Sequence, residues 1–259
     1  MISVIIVSLN TKNDFLSTIK SIISQTKKVE IIVVDGDSKD GTIDIINQYS
    51  NFFEKVIIEK DQGIYFAMNK GIKLASNEWI HFLNSGDIFF SDETIKNVSN
   101  ILRANKTSDV VIGNSYVKRK KYLVKSPRSK INNYTVNSCF SHQSSFTKKN
   151  LLDKHPLDTQ FKYAADFDFY LKLYKLKKKF LYIDQQISIN KDGGISDLNR
   201  IKVLSEFKKI INLRNKKCLN IFKINLIIFY SKIKEIIKLL IPNFITEKII
   251  YLFDKRNKN

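Results

Sequence analysis

The amino-acid sequence predicts an α/β fold: a doubly wound, mostly parallel sheet followed by a helical, basic C-terminal extension. Three observations carry this. Short β-branched runs alternate with segments of helical period through the first ninety residues. Polar and acidic segments directly follow those runs, where doubly wound sheets hold their ligands. Positive charge is concentrated late in the chain.

Ser3–Ser8 (SVIIVS) reads as a buried first strand. Asp14–Gln25 carries Phe15, Ile19, Ile22 and Ile23 at helical spacing. Glu30–Val34 is the second strand, and Gly41–Tyr49 a helix with Ile43, Ile45 and Ile46. Val56–Ile58 is a third strand, Gly63–Ala75 a helix, and Glu78–Leu83 the fourth strand. This βαβαβαβ series calls for helices on both faces of a parallel sheet. After residue 92 the pattern turns to α+β. Thr94–Arg103 reads as a helix, and Asp109–Tyr116 and Tyr122–Val124 as strands around a basic turn at Lys118–Lys121. Ser144–Thr147, Phe180–Ile183 and Ile187–Ile189 read as further strands, and Ala164–Leu176 as an aromatic-rich helix. From about Asn199 the chain is helical and basic.

Composition narrows the function classes. The 259 residues are 43% hydrophobic and 27% charged, which suits a packed core rather than disorder. Cys139 and Cys218 form no CxxC, which argues against a disulfide scaffold or a cysteine zinc site and fits a reducing compartment. Three histidines are too few for a His-rich metal site. MISVIIVSLN has no basic n-region and no cleavage site, so it reads as a strand and not a signal peptide. No run approaches the ~20 apolar residues of a spanning helix. Net charge is +19, yet residues 1–117 hold 12 basic and 14 acidic residues, a net of −2. Residues 200–259 hold 15 and 4, a net of +11. Such asymmetry points the tail to an anionic surface.

Three segments follow strands and carry candidate chemistry. Asp35-Gly36-Asp37-Ser38-Lys39-Asp40-Gly41-Thr42 places Asp35 at a strand end, where a carboxylate can accept from a ribose or base, and Asp40 as a helix cap. In Glu59-Lys60-Asp61-Gln62-Gly63-Ile64-Tyr65, Asp61 lies at a strand-to-helix junction. Asn69 and Gly71 further along that helix have poor helix propensity, which calls for packing or polar contacts. Phe82-Leu83-Asn84-Ser85-Gly86-Asp87 ends the fourth strand in small and acidic residues, a place suited to a metal–diphosphate site.

Together these segments resemble family 2 glycosyltransferases, the inverting enzymes of the GT-A fold, in their bacterial cell-surface polysaccharide branch, including the colanic-acid type. The resemblance covers about residues 2–200 and rests on the ordered set VSLN, VVDGDSKDGT, EKDQGIYFAMNKG and FLNSGD. It implies a nucleotide-diphosphate sugar donor, with Ser8, Asn10, Asp35 and Asp61 around the nucleoside. Asn84, Ser85, Gly86 and Asp87 would lie at the diphosphate, where Asp87 would hold a divalent metal, magnesium or manganese. Relatives often read Asp-x-Asp-Asp here, and Asn84 and Gly86 replace two of those carboxylates; the resembled branch commonly reads Leu-Asn-x-Gly-Asp.

Tyr163-Ala164-Ala165-Asp166-Phe167-Asp168 resembles the family's Glu-Asp segment, with Ala165 in place of the glutamate and Asp166 as general base. A sugar hydroxyl that displaces a nucleoside diphosphate needs a carboxylate to take its proton. Asp168 is the weaker candidate. His142-Gln143 and Gly193-Gly194-Ile195-Ser196 also recur in that branch. His142 would touch acceptor or diphosphate, and Gly193 and Gly194 would form a loop over the donor. The processive synthases' Gln-x-x-Arg-Trp signature is absent, which favours transfer of a single sugar.

The implied organisation is a GT-A domain over 1–200, divided into a nucleotide-binding half (1–92) and an acceptor half (93–200), then an amphipathic tail over 201–259. The tail sets Phe222, Leu226, Phe229, Ile233, Ile236 and Leu240 on one face and Lys223, Lys234 and Lys238 on the other. Beyond Pro242 it continues with Ile245, Ile249, Leu252 and Phe253. That combination fits the anionic inner face of a cell membrane, hence a cytoplasmic, peripheral protein serving a saccharide or lipid-linked acceptor. The competing occupant of the apolar face is its own domain or a second subunit, giving a homo-oligomer. No nucleic-acid module is evident. The alternative to an enzyme is a catalytically degenerate scaffold or partner subunit, motivated by Asn84 and Gly86.

Overall fold

The computed structural model describes the chain except residues 120, 121, 134, 137, 195–197, 216, 217 and 241–259, and the side chains of 215, 218, 219 and 234–240. Among the described residues nine strands form one sheet: β1 (Ile2–Ser8), β2 (Glu30–Asp35), β3 (Lys55–Ile58), β4 (Trp79–Phe82), β5 (Ile88–Phe89), β6 (Val110–Lys118), β7 (Leu123–Lys125), β8 (Ser145–Lys148) and β9 (Phe180–Lys191). Their order is β3-β2-β1-β4-β8-β6-β9-β5, with β7 hydrogen-bonded to β6. The first four strands are mutually parallel, with Val4 opposite Ile31 and His81. Beyond β4 the sheet is mixed: β8 runs antiparallel to β4 and β6, and β9 parallel to β6.

Helical period explains the covering layers. In α1 (Lys12–Ile23), Phe15, Ile19 and Ile22 are buried, and in α4 (Thr94–Ala104) Ile95, Val98 and Leu102. They join β1 residues Val4 and Ile6 in one core. Each such buried side chain contributes about 1.5–3 kcal/mol. Also present are α2 (Thr42–Gln48), α3 (Ile64–Leu74), α5 (Lys149–Lys154) and α6 (Ala165–Lys175). The poor helix formers of α3 have contacts that account for them. A Cβ on Gly71 would fall 2.4 Å from Ile5 Cγ2, so only glycine lets α3 lie this close to β1. Asn69 pairs with the Leu157 backbone in both directions, at 2.8 and 3.0 Å.

Two expectations change, and two short elements were not expected. The runs at 180–183 and 187–189 are one strand, β9, whose register slips opposite Ile112–Ser115, where Asn114 Nδ2 donates to Asp184 at 2.8 Å. Gly41, at φ +93°, takes the cap position of α2, while Asp40 accepts from Thr42 N at 3.0 Å. The short β5 and α5 have too few residues to show a period.

The chain divides into two compact units, Met1–Asn132 with Ser138–Asp192, and Asn133–Asn137 with Gly193–Asn259. In the second, α7 (Arg200–Asn215) packs against α8 (Cys218–Leu240). Val203, Leu204, Phe207, Ile210 and Ile211 are buried on α7, and Ile224 on α8. Phe222, Leu226, Phe229 and Tyr230 are 59–68% exposed. The expected apolar positions beyond 240 lie outside the described residues.

Candidate active site

The site is built where the first, second and fourth strands end. The Asp35 carboxylate, at the end of β2, is fully buried. Its Oδ2 accepts from the hydroxyls of Ser8 (2.6 Å) and Ser38 (2.7 Å), and its Oδ1 accepts from Ser38 N at 2.7 Å. Asp35 therefore holds the ends of β1 and β2 together. Asn10, at φ +52°, closes the same junction: its N–H donates to Ser38 Oγ at 2.8 Å, and its Oδ1 accepts from Lys39 N at 2.7 Å. Asp40 accepts from Lys12 N and Thr42, which holds its carboxyl below the usual range.

Asp61 pairs through Oδ1 with Lys70 Nζ at 2.5 Å, and Lys70 also reaches Glu59 at 2.6 Å. Those hydrogen bonds raise the Lys70 ammonium above its ordinary value. The other oxygen of Asp61, Oδ2, is buried with no hydrogen-bond partner. A buried carboxylate oxygen left unsatisfied is costly, so this atom is a ready acceptor for a donor group on a ligand.

Asp166 stands in the first turn of α6. Its Oδ1 accepts from Tyr65 Oη at 2.9 Å, and its Oδ2 faces His142 Nδ1 at 3.1 Å. His142 Nε2 lies 3.3 Å from the Asn84 side-chain amide nitrogen. An Nδ1–H on this ring donates to the Asp166 carboxylate. Burial pushes the Asp166 carboxyl upward, but the hydrogen bonds and charge from His142 and the bond from Tyr65 outweigh it and hold the group below its ordinary value. The side chain keeps 22% of its surface exposed, whereas Asp168 is 2% exposed. Asp166 is thus the ionised carboxylate that a substrate can reach.

The Asn84–Asp87 turn sits on α1: Gly86 N donates to Thr18 Oγ1 at 2.9 Å, and that hydroxyl donates to Asp87 O at 2.8 Å. Ser85 Oγ lies 3.4 Å from Val7 O. Asp87 is 6% exposed, and its two oxygens accept from Gln143 Nε2 and Lys191 N, each at 2.9 Å. Burial pushes its carboxyl up to about 6 against those bonds. Gly193 and Gly194 belong to the second unit; a Cβ at either would meet nothing within 4 Å, and Gly194 O accepts from Leu198 N at 3.1 Å.

The family model described as Glycosyl transferase family 2 matches residues 3–173. The chain belongs to that family. A PGL/p-HBAD biosynthesis glycosyltransferase of Mycobacterium bovis is 29% identical over 205 residues, covering 76% of this chain and 79% of its own. The Escherichia coli UDP-Glc:alpha-D-GlcNAc-diphosphoundecaprenol beta-1,3-glucosyltransferase WfaP is 32% identical over 125 residues, 46% of this chain and 47% of its own. Among solved structures, the mannosyltransferase PcManGT from Pyrobaculum calidifontis, in complex with GDP-Man and Mn2+, superimposes with a TM-score of 0.66 at 18% identity. That match covers 83% of this chain and 64% of the solved one, and it shows the GT-A fold. The protein is a family 2 glycosyltransferase.

Family 2 enzymes are expected to use a divalent ion, and the residues here do not fit a resident one. Of the 84–87 turn only Asp87 has a carboxylate; it is buried, and both its oxygens are engaged within the protein. A hard divalent cation held by the protein alone needs several oxygen ligands, one or two carboxylates sufficing only when substrate phosphates supply the rest, and among the described residues no three His, Cys, Asp or Glu side chains converge on one point.

The structure brings Ser8, Asn10 and Asp35 into one cluster and Asn84, His142 and Asp166 into another. Sequence reasoning gave no role to Tyr65, Gln143, Ser38 or Lys191. Tyr65 lies one helical turn before Asn69, and Gln143 directly follows His142, so the signal for both was adjacency to quoted motifs.

Proposed function

We propose that this glycosyltransferase is inverting and moves one sugar from a nucleotide-diphosphate donor to a saccharide acceptor carried on a lipid, in surface-polysaccharide synthesis. The carrying observation is the partly exposed Asp166 carboxylate, fixed by Tyr65 and His142, with His142 tied to Asn84 of the donor-side turn. The acceptor hydroxyl attacks the anomeric carbon while Asp166 takes its proton. The bond from that carbon to the diphosphate oxygen breaks, and its electron pair leaves on the phosphate. Base and leaving group on opposite faces of the sugar give inversion. Ser8, Asn10 and the Asp35 cluster shape the nucleoside pocket, and Asp61 Oδ2 offers an acceptor to it. WfaP, by its name, uses UDP-glucose and a diphosphoundecaprenol-linked sugar, which supports a donor and an acceptor of these classes.

The tail supports a location on an anionic membrane. Phe222, Leu226, Phe229 and Ile233 share a helix face and are 37–65% exposed, and residues 200–259 carry a net +11. An amphipathic basic helix of this kind lies in the interface of an anionic bilayer. No described helix is long and apolar enough to cross a membrane.

A panel of UDP-, GDP- and dTDP-sugars, assayed for protection against thermal unfolding, tests the donor. Product analysis by NMR then tests the stereochemistry. One donor should stabilise the protein, and the new linkage should have the opposite anomeric configuration. Absence of stabilisation by any sugar nucleotide, or retention of configuration, would overturn the reading. Co-sedimentation with phosphatidylglycerol vesicles should fall when Phe222, Leu226 and Phe229 are changed to serine; unchanged binding removes the tail from the membrane.

A further inference from the structure

The turn expected to face the diphosphate has a cation laid across it. Gly86 holds φ +96°, and a Cβ there would fall 2.9 Å from Lys191 Cδ and 3.3 Å from Lys191 Cβ. The stem of Lys191 thus fills the space above the position where relatives often carry a second carboxylate. Its backbone N–H donates to Asp87 Oδ1 at 2.9 Å, which fixes the end of β9 on the turn. Its ammonium reaches Asp14 Oδ2, in the first turn of α1, at 2.5 Å.

The two attachments differ in kind. The backbone bond ends on a carboxylate that is 6% exposed and belongs to the fold. The ion pair lies at the surface, with Lys191 52% and Asp14 33% exposed. Exposed pairs of this kind contribute little to stability. The ammonium can therefore move to a stronger anion while the backbone of Lys191 stays in place. Phosphate is such an anion, and lysine binds it as a point charge.

We propose that Lys191 is a phosphate-binding residue of the donor site, whose ammonium neutralises the diphosphate of the nucleotide sugar at the Asn84–Asp87 turn in the place of a resident divalent ion. The inference rests on the reading of that turn as the diphosphate site. The turn lacks the carboxylates to hold a metal of its own, and the stem of a lysine lies over Gly86 with its ammonium free to leave a surface ion pair. During transfer the departing diphosphate gains the electron pair of the broken glycosidic bond, so a cation there favours departure as well as binding. Asp14 competes with the phosphate for the same ammonium and keeps it poised over the turn when no donor is bound.

Calorimetry on the full chain separates this role from a structural one. UDP, GDP and dTDP, and the matching monophosphates, are titrated in EDTA and again with magnesium or manganese. The wild type should bind one diphosphate in EDTA about tenfold or more tightly than its monophosphate, the scale of one hydrogen bond to a charged group. Lys191→Met should erase most of that difference while binding the monophosphate within about twofold of wild type. Lys191→Arg should keep it, and Asp14→Asn should preserve or increase it. A difference that survives in Lys191→Met, or one that the wild type shows only with added metal, overturns the assignment while leaving the nucleotide-sugar reading intact. If no nucleotide binds under any condition, that reading fails and the role of Lys191 with it. Should Lys191→Met not fold, the Lys191→Arg and Asp14→Asn pair still decides: Asp14→Asn weakening diphosphate binding would contradict the competition.

Discussion

Asp166 and Asn84 are joined through a single imidazole. His142 Nδ1 donates to the carboxylate at 3.1 Å, and its Nε2 lies 3.3 Å from the Asn84 amide nitrogen. The proposed base and the proposed donor-side turn are thereby held in one register, 82 residues apart in sequence. Asp166→Asn keeps the shape of this chain of contacts and removes proton acceptance. Turnover should fall by about two to four orders of magnitude, with donor affinity from calorimetry within a few-fold of wild type. Near-normal turnover would take Asp166 out of the role.

The acid limb of the pH–rate profile should report the same contacts. His142 and Tyr65 hold the Asp166 carboxyl below its ordinary value against the effect of burial. The base must be ionised to act, so activity is lost as pH falls through its pKa. His142→Ala and Tyr65→Phe each remove a stabilising partner of the ionised form and should move the acid limb to higher pH, His142→Ala by more. An unmoved limb in both variants would mean that another group titrates there.

Asp35 and Asp61 should separate into two phenotypes. Asp35→Ala strands the buried N–H of Ser38 and the hydroxyls of Ser8 and Ser38, so it should cost about 1–3 kcal/mol of stability per group left unpaired and weaken nucleotide binding through the loop. Asp61→Asn should change stability less and nucleotide affinity more, because one of its oxygens is unclaimed by the protein. Denaturant titration beside calorimetry checks both, and identical profiles for the two variants would refute the distinction.

Stability between pH 4 and 6.5 should carry two opposing signatures. His81, fully buried between Phe89 and Phe146, is pushed down to about 4 by desolvation, though its Nδ1 contacts Ser145 O at 2.9 Å. Its unfolded form takes a proton near 6.5 that the folded form refuses until about 4, so this contribution is lost as pH falls across that window. Asp87, raised to about 6, runs the other way: the folded state keeps a proton that the unfolded state has released, and this contribution is lost as pH rises through about 6. Comparing wild type with His81→Phe cancels the Asp87 part. The wild-type advantage should shrink by about 3 kcal/mol from pH 6.5 to 4. A pH-independent difference would show that His81 is not held neutral.

The nucleotide half was legible because its strands are short, β-branched and parallel, and because Asp35, Asp61 and Asn84–Asp87 each directly follow one. The second half was harder to read. β9 looked like two strands because Asp184 and Gln185 interrupt its apolar pattern, whereas in the fold it runs unbroken beside β6 with its register slipped about Asn114. Within the site, the sequence marked Asp35 at a strand end, but not the hydrogen bonds from Ser8 and Ser38 that hold it there. Tyr65 and Lys191 went unseen for a simpler reason. Their partners, Asp166 and Gly86, lie 101 and 105 residues away, and nothing local in the chain registers contacts that only the folded sheet creates.

The close seat of α3 on β1 has a mechanical consequence. This helix carries Tyr65 against Asp166, Asn69 against the backbone of Leu157, and Gly71 flush with Ile5. The helix therefore works as a spacer bar whose thickness is set at its far end, two turns away from the chemistry. Even one methyl group at position 71 would have to lift the bar off the sheet, and the phenol of Tyr65 would move with it. Such a variant would bind no ligand differently by contact, yet its base would be held at the wrong height, and a substitution in the core would present as a defect in turnover.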